Sequence, residues 1–280
     1  MTNAMARDDN LWGGLCEERS DEAILVYRMR KAQVSGKVYL VGIGPGSPEN
    51  MTPRAVCALN DASVIIGQKA CLDLITGFIK GKNIIAEDMT PVERAEIAVE
   101  QALSGKDVAI VTTGDPGIYA IASTFFSYLV EKEIRIPVEV IPGVAAANAA
   151  AALLGSPLGG DFAVISLADM AIPWTNIKKR LESAASGGFV IALYNPKGKA
   201  GNRRLKEAVA ILMRYNKVAT PVGIVTDATG ETEKVQITAL GEVLHCKIGI
   251  QTILIIGNAE TLVFDGRMIT PRPYREGVGY

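Results

Sequence analysis

The sequence holds one histidine, His245, among 280 residues, and its four cysteines never come close enough for a chelating pair. Cys16, Cys57, Cys71 and Cys246 show no CxxC spacing, which argues against a zinc or iron–sulfur site built by the protein. Scattered thiols of this kind read as reduced residues of a cytoplasmic protein. A surplus of one charge is also lacking. Lys and Arg number 29, Asp and Glu 30, and the net charge is −1. The general electrostatic footprint of a nucleic-acid binder is therefore missing, and an acidic small molecule would need a local basic patch. No apolar run is long enough to span a bilayer. The most apolar stretch, Val144–Leu154, is alanine-rich, is interrupted by Asn148, and reads as a buried helix. Met1–Asn10 is polar and lacks the apolar core of a secretory leader.

What is present is 49% hydrophobic residues, enough for two α/β domains or one large one. Residues 1–36 carry mixed charge with little periodicity and are expected to form an extension. From Lys37 strands alternate with helices. Strands are expected at Val38–Val41, Ala62–Ile66, Asn83–Ala86, Asp107–Thr112 and Pro137–Ile141. Helices are expected after Thr52, over Gln68–Ile79, from Thr90 to about Leu103, and over Ile118–Glu131 and Gly143–Leu154. Thr90-Pro91-Val92-Glu93 is a capping box with proline at the first helical position. Continuous apolar strands in this pattern predict a mainly parallel sheet covered on both faces. Gly155-Ser156-Pro157-Leu158-Gly159-Gly160 breaks the alternation and suggests a boundary between domains 37–158 and 159–270. The alternation restarts with strands at Ala163–Leu167, Phe189–Leu193, Pro221–Thr226 and Thr252–Ile256. Helices are expected at Trp174–Ala185 and Asn202–Tyr215, and a short one at Leu240–Cys246. Glu233–Thr238 follows only a short turn and is expected to be antiparallel. The tail, 271–280, is expected to be irregular.

Three strand-to-helix loops could carry chemistry. The first is Gly42-Ile43-Gly44-Pro45-Gly46, where glycines let a ligand approach the backbone. It departs from the dinucleotide fingerprint GxGxxG: Ser47 follows Gly46, Pro45 lacks an amide, and Ile65-Ile66-Gly67-Gln68 supplies no acid to hold a ribose. A phosphate-gripping P-loop fails because no Gly-Lys-Ser/Thr follows. The second loop, Thr112–Tyr119, sits at a strand's carboxyl end, where parallel sheets bind ligands. Its Asp115 can cap free amides or act in catalysis. The third, Ile141–Ala146, has small residues at its turn.

In this order and spacing, GIGPGSPENMT, TTGDPGIYA and PGVAAANAAAALLGSPLGGDFAVISLAD resemble the tetrapyrrole (corrin-pathway) methyltransferases. The resemblance spans about Lys37–Thr270. It implies two unequal α/β domains with S-adenosylmethionine in the cleft between them. Val164–Asp169, Pro173-Trp174 and Leu193-Tyr194-Asn195-Pro196-Lys197 look like the branch that methylates C-17 of precorrin-3B, or of cobalt-precorrin-3, with ring contraction in cobalamin synthesis. Carried over by position, the cofactor should touch Pro45, Gly114, Asp115, Ile118, Ala145, Ala146, Tyr194 and Asn195. Thr226–Ala228 and Gly257–Asn258 should close its pocket. Many members have Thr or Ser where this chain has Ala145, so a hydroxyl contact is lost or replaced there.

Methyl transfer from a sulfonium needs alignment rather than a metal or a covalent nucleophile. Ring contraction would profit from a general base. Candidates are Asp115, Ser166, Asp169 and Asp227, or the substrate's own carboxylate, or water. His245 reads instead as a cation at a helix end. The basic run Lys197, Lys199, Arg203 and Arg204 gathers positive charge at a helix start, which favours a bound anion; a solvated loop would look the same. Other tetrapyrrole carbons, a non-catalytic nucleoside-binding regulator and an NAD-linked oxidoreductase are the alternatives. The resemblance implies a homodimer, and neither a nucleic-acid nor a membrane partner is expected.

Overall fold

The computed structural model describes residues 35–168, 172–197 and 202–272. Strand β1 (Val38–Gly42) is buried along its whole length, as a central strand covered on both faces must be. Thr52 caps helix α1 (Pro53–Asp61), its Oγ1 accepting from the Ala55 amide at 3.1 Å. Then follow β2 (Val64–Gly67), α2 (Lys69–Asp73) and β3 (Asn83–Ile85). Helix α3 (Pro91–Leu103) starts from the expected capping box. Glu93 Oε2 accepts from the Thr90 amide, and Thr90 Oγ1 from the Glu93 amide. β4 (Val108–Thr112), α4 (Ile121–Glu131) and β5 (Val138–Ile141) complete the first half. The sheet order is β3-β2-β4-β1-β5 with every pairing parallel. β1 therefore lies between β4 and β5, and the carboxyl ends of these three strands carry the three loops.

Helix α5 (Ala146–Leu154) leads out of this sheet but packs on the second one. Ala147, Ala149, Ala150 and Leu154 share a buried cluster with Val190, Ala192, Val225, Ile253 and Ile255. The second half comprises β6 (Gly155–Ser156), β7 (Phe162–Ser166), α6 (Trp174–Ser186), β8 (Val190–Tyr194) and α7 (Arg203–Leu212), then β9 (Pro221–Thr226), β10 (Lys234–Ala239) and β11 (Thr252–Ile256). Its main sheet runs β10-β9-β11-β8-β7. A hairpin, β12 (Leu262–Phe264) and β13 (Arg267–Ile269), pairs with β6 in a small third sheet. No helix among the described residues is long and apolar enough to cross a membrane.

Several expectations need correction. The helix expected over Gln68–Ile79 ends at Asp73, because Ile75-Thr76-Gly77 is a run of poor helix formers. α4 starts at Ile121 rather than Ile118, because Tyr119 turns the chain with φ +51°. α5 starts at Ala146 rather than Gly143. The second sheet is mainly antiparallel: β10 pairs antiparallel with β9 as expected, but β11 is antiparallel to both β9 and β8. β8 and β9 run the same way, as a βαβ reading demands, and β11 fills the gap between them from the opposite direction. The extension 1–34 and the tail from 273 lie outside the described residues.

Two predictions follow from packing and charge. A Cβ on Gly223 would come 2.2 Å from Leu154 Cδ1, and Leu154 is fully buried. Gly223→Ala is expected to cost about 1–3 kcal/mol by urea denaturation, with part of the loss recovered in a Gly223→Ala/Leu154→Ala background. Glu139 on β5 accepts from Arg54 Nε and Nη2, both at 2.6 Å, and from Lys37 Nζ at 2.5 Å. Arg54 first, then Lys37, hold its carboxyl down to about 2, below the ordinary 4.5. The stabilisation is thus complete above about pH 4.5 and lost as pH falls through about 2. Glu139→Gln should flatten that acid limb in low-salt melting curves, and added salt should shrink the difference.

Candidate active site in the cleft between the sheets

The three loops meet backbone to backbone. A Cβ on Gly42 would lie 2.6 Å from Gly114 O and 2.7 Å from Gly143 N. Gly44 and Gly114 exchange both backbone hydrogen bonds, at 3.3 and 2.7 Å. Asp115 laces the second loop to the third: Oδ1 accepts from the Gly117 amide at 2.7 Å and Oδ2 from the Gly143 amide at 3.2 Å. Both carboxylate oxygens thus serve the backbone, so the geometry makes Asp115 a positioning residue. Gly114 has φ +68°, and a Cβ there would meet only Ala146 N at 3.9 Å and Val144 O at 4.0 Å. That open space before the start of α5 is a cradle only glycine leaves.

The second sheet supplies the facing wall. Ala145 stands at the N-cap of α5 and offers no capping side chain. Tyr194, at the end of β8, does this from outside the helix: its Oη accepts from the Ala147 amide at 3.0 Å. Tyr119 reaches across from the second loop and donates from Oη to Val164 O at 2.9 Å. The two phenol rings sit 5.5 Å apart, tilted by 55°. Burial pushes both phenols above their ordinary range, so both stay neutral donors and acceptors. Asn195, held at φ +52°, donates from Nδ2 to Ser166 Oγ at 2.9 Å, and the Ala168 amide donates to the same oxygen at 3.1 Å. Ser166 therefore organises the loop after β7.

Between the walls lies a cleft of about 960 Å³. Pro45, Gly114, Asp115, Ile118, Ala145, Ala146, Tyr194, Asn195 and Ser166 all line it. Four of the expected residues make their contacts elsewhere. Thr226 is tied to Thr252, Oγ1 to Oγ1 at 2.8 Å, and does not line the cleft. Asp227 accepts from the Thr232 amide at 2.9 Å and its hydroxyl at 2.6 Å, which closes the β9–β10 turn. Gly257 follows β11, whose antiparallel course carries it to the opposite end of the strands, where its amide donates to Pro221 O. Asn258 beside it caps a local turn.

The basic run is also placed elsewhere. Lys197 is exposed and outside the cleft lining. Arg203 Nε is 3.7 Å from Glu207 Oε1, and the Arg204 guanidinium lies 5.7 Å from the Trp174 ring centre. Trp174 Nε1 donates to Glu207 Oε2 at 2.7 Å, so this face is one packed polar cluster. Asp169 and Lys199 lie outside the described residues. The cleft has cations of its own, Arg94 from α3 and Arg180 from α6, with Cys71 near the first. Sequence reasoning missed them because each sits inside an amphipathic helix with no local motif.

The profile of the Tetrapyrrole (Corrin/Porphyrin) Methylases matches residues 37–244. The chain belongs to the tetrapyrrole methylases. A cobalt-factor III methyltransferase of Priestia megaterium is 42% identical over 247 residues, which is 86% of this chain and 46% of that protein. The chain thus spans about half the length of that relative. A precorrin-3B C(17)-methyltransferase of a Sinorhizobium species is 35% identical over 249 residues, 86% of this chain and 98% of that one. Among solved structures, that of the methyltransferase CobJ superposes with a TM-score of 0.79 at 30% identity, covering 85% of this chain and 100% of that one.

In this tetrapyrrole methylase, the missing hydroxyl at the α5 N-cap is supplied by Tyr194 from the other sheet. Tyr194→Phe is expected to lower stability by about 0.5–2 kcal/mol, the usual worth of an N-cap. Adding Ala145→Ser should restore most of it, read by urea denaturation. A loss that Ala145→Ser leaves untouched would assign the Tyr194 hydroxyl a role other than capping.

Proposed function

We propose that this chain is an S-adenosylmethionine-dependent C-methyltransferase acting at C-17 of precorrin-3B or its cobalt-containing counterpart, with ring contraction, in cobalamin synthesis. The observation that carries the reading is the cleft itself. Three glycine loops at the central strand ends face Tyr194 and Asn195 across a space of about 960 Å³. That is near the upper end of the ~300–1,000 Å³ usual for small-molecule sites, which suits a cofactor and a macrocycle side by side. The relatives named above, a cobalt-factor III methyltransferase and a precorrin-3B C(17)-methyltransferase, support the substrate and the position.

The cradle at Gly114 fits a flat nucleoside, because no side chain rises between the second loop and α5. Pro45 and Ile118 offer apolar surface; Ala145 and Ala146 keep the helix start open. When bound, the cofactor supplies a methyl group already activated by its sulfonium. The protein's part is to hold an electron-rich ring carbon in line with that methyl and to keep water out. Tyr119 and Tyr194 bridge the two walls and set their spacing. Asp115 and Ser166 are engaged in loop hydrogen bonds, which leaves proton removal in the contraction step to Asp169, a substrate carboxylate or water. We further propose a cytoplasmic homodimer. Val263 and Phe264 of the hairpin and Val235 of β10 leave apolar surface exposed, as an association surface would.

Calorimetric titration with S-adenosylhomocysteine should show affinity of about micromolar order, and NAD should not bind. Incubation with S-adenosylmethionine and precorrin-3B, with and without cobalt, should then yield a product heavier by one methyl group. Turnover only of precorrin-2 or precorrin-4 would move the enzyme to another carbon. Absence of S-adenosylhomocysteine binding by the folded protein would overturn the reading.

A further inference from the structure

Arg94 and Arg180 are the arginines that line the cleft, and Arg94 stands on its first wall. It sits near the start of α3 and lines the cleft beside Cys71 and Thr113. Its Nε is buried and has no hydrogen-bond partner among the described residues. None of the ion pairs of the described residues includes it, whereas Arg54 meets Glu139, Arg203 meets Glu207 and Arg214 meets Glu182. The adjacent Glu93 is already engaged, because its carboxylate accepts from the Thr90 amide at 2.7 Å. The Arg94 side chain as a whole is half-buried, but its Nε–H is closed off without a partner, which is costly. A cation near a helix start also opposes the macrodipole. An anion in the cleft offsets the second penalty directly. The planar fork of arginine matches a carboxylate in two parallel hydrogen bonds, and the cleft is where such a group can reach it.

We propose that Arg94 is the carboxylate receptor of the cleft's first wall. The proposal rests on the reading of the cleft as a methyl-transfer site. Two ligands of that site carry the group: the acidic macrocycle at its rim and S-adenosylmethionine at its amino-acid end. Arg94, rather than the basic run 197–206, then supplies the positive charge that an acidic substrate needs inside the cleft.

The test compares wild type, Arg94→Gln and Arg94→Lys in the full chain. Each is titrated with uroporphyrin III, whose side chains are all carboxylates, with S-adenosylhomocysteine, and with 5′-methylthioadenosine, which has no carboxylate. Arg94→Gln is expected to lose about tenfold or more in affinity for one carboxylate ligand and to bind 5′-methylthioadenosine as wild type does. Arg94→Lys should recover only part, because it keeps the charge and loses the fork. Loss confined to uroporphyrin III identifies the macrocycle as the source; loss confined to S-adenosylhomocysteine identifies the cofactor. Unchanged affinity for both in Arg94→Gln, with wild type binding normally, would overturn the inference alone. An equal loss for all three ligands would make Arg94 structural and overturn it too. Binding of none of them by wild type would overturn the underlying reading as well.

Discussion

Backbone crowding at Gly42, Gly114 and Gly143 is the constraint on which the cleft depends. Three turns from three adjacent parallel strands pack so closely that a side chain at Gly42 or Gly143 would lie within 3 Å of a neighbouring carbonyl or amide. Contact at this range makes the three loops one unit. Asp115 then sets their relative height by holding amides of both the second and the third loop. The cradle at Gly114 is a consequence: its left-handed conformation turns an empty face toward the start of α5.

The second sheet enters through α5. This helix is covalently continuous with the first sheet, yet its alanines are buried against strands of the second. Small side chains let it settle close to that sheet, and Gly223 makes room for Leu154. Its first turn has no cap of its own, so the Tyr194 hydroxyl both satisfies an amide and ties the third loop to β8. Tyr119 adds a tie from the second loop to β7. The first loop also reaches across: Gly46 packs on Ala228 and Gly230, and the Ser47 amide donates to Thr229 Oγ1 at 3.4 Å. A cleft bounded in this way keeps a fixed width, and in-line transfer of a methyl group requires that.

Charge is distributed with the same economy. Arg203 and Arg204 are engaged away from the cleft, around Glu207 and Trp174. A dense basic run is conspicuous in a sequence, but density does not say which way a helix turns its cations. α7 packs Leu205, Ala208, Val209 and Leu212 inward, and its arginines meet the Trp174–Glu207 cluster rather than the cleft.

Features that depend on near neighbours were legible in the sequence alone. Strand β1 declared itself by four consecutive apolar residues, and α3 by a capping box whose two hydrogen bonds are both formed. The three loops and the residues that face the cleft from them were legible because strand ends and helix starts lie a few residues apart in the chain. Tertiary structure decided what depends on distant partners. Strand direction in the second sheet was not legible: a βαβ pattern states that β8 and β9 run the same way, not that β11 lies between them. The misplacement of Gly257 follows from that one fact, since an antiparallel strand finishes at the opposite end of the sheet from its neighbours. Nor could local pattern reveal that Asp115 spends both oxygens on amides, that a tyrosine from another sheet caps α5, or that Arg94 lines the cleft. Each depends on contacts between residues far apart in sequence, and those are set only when the two sheets close on α5.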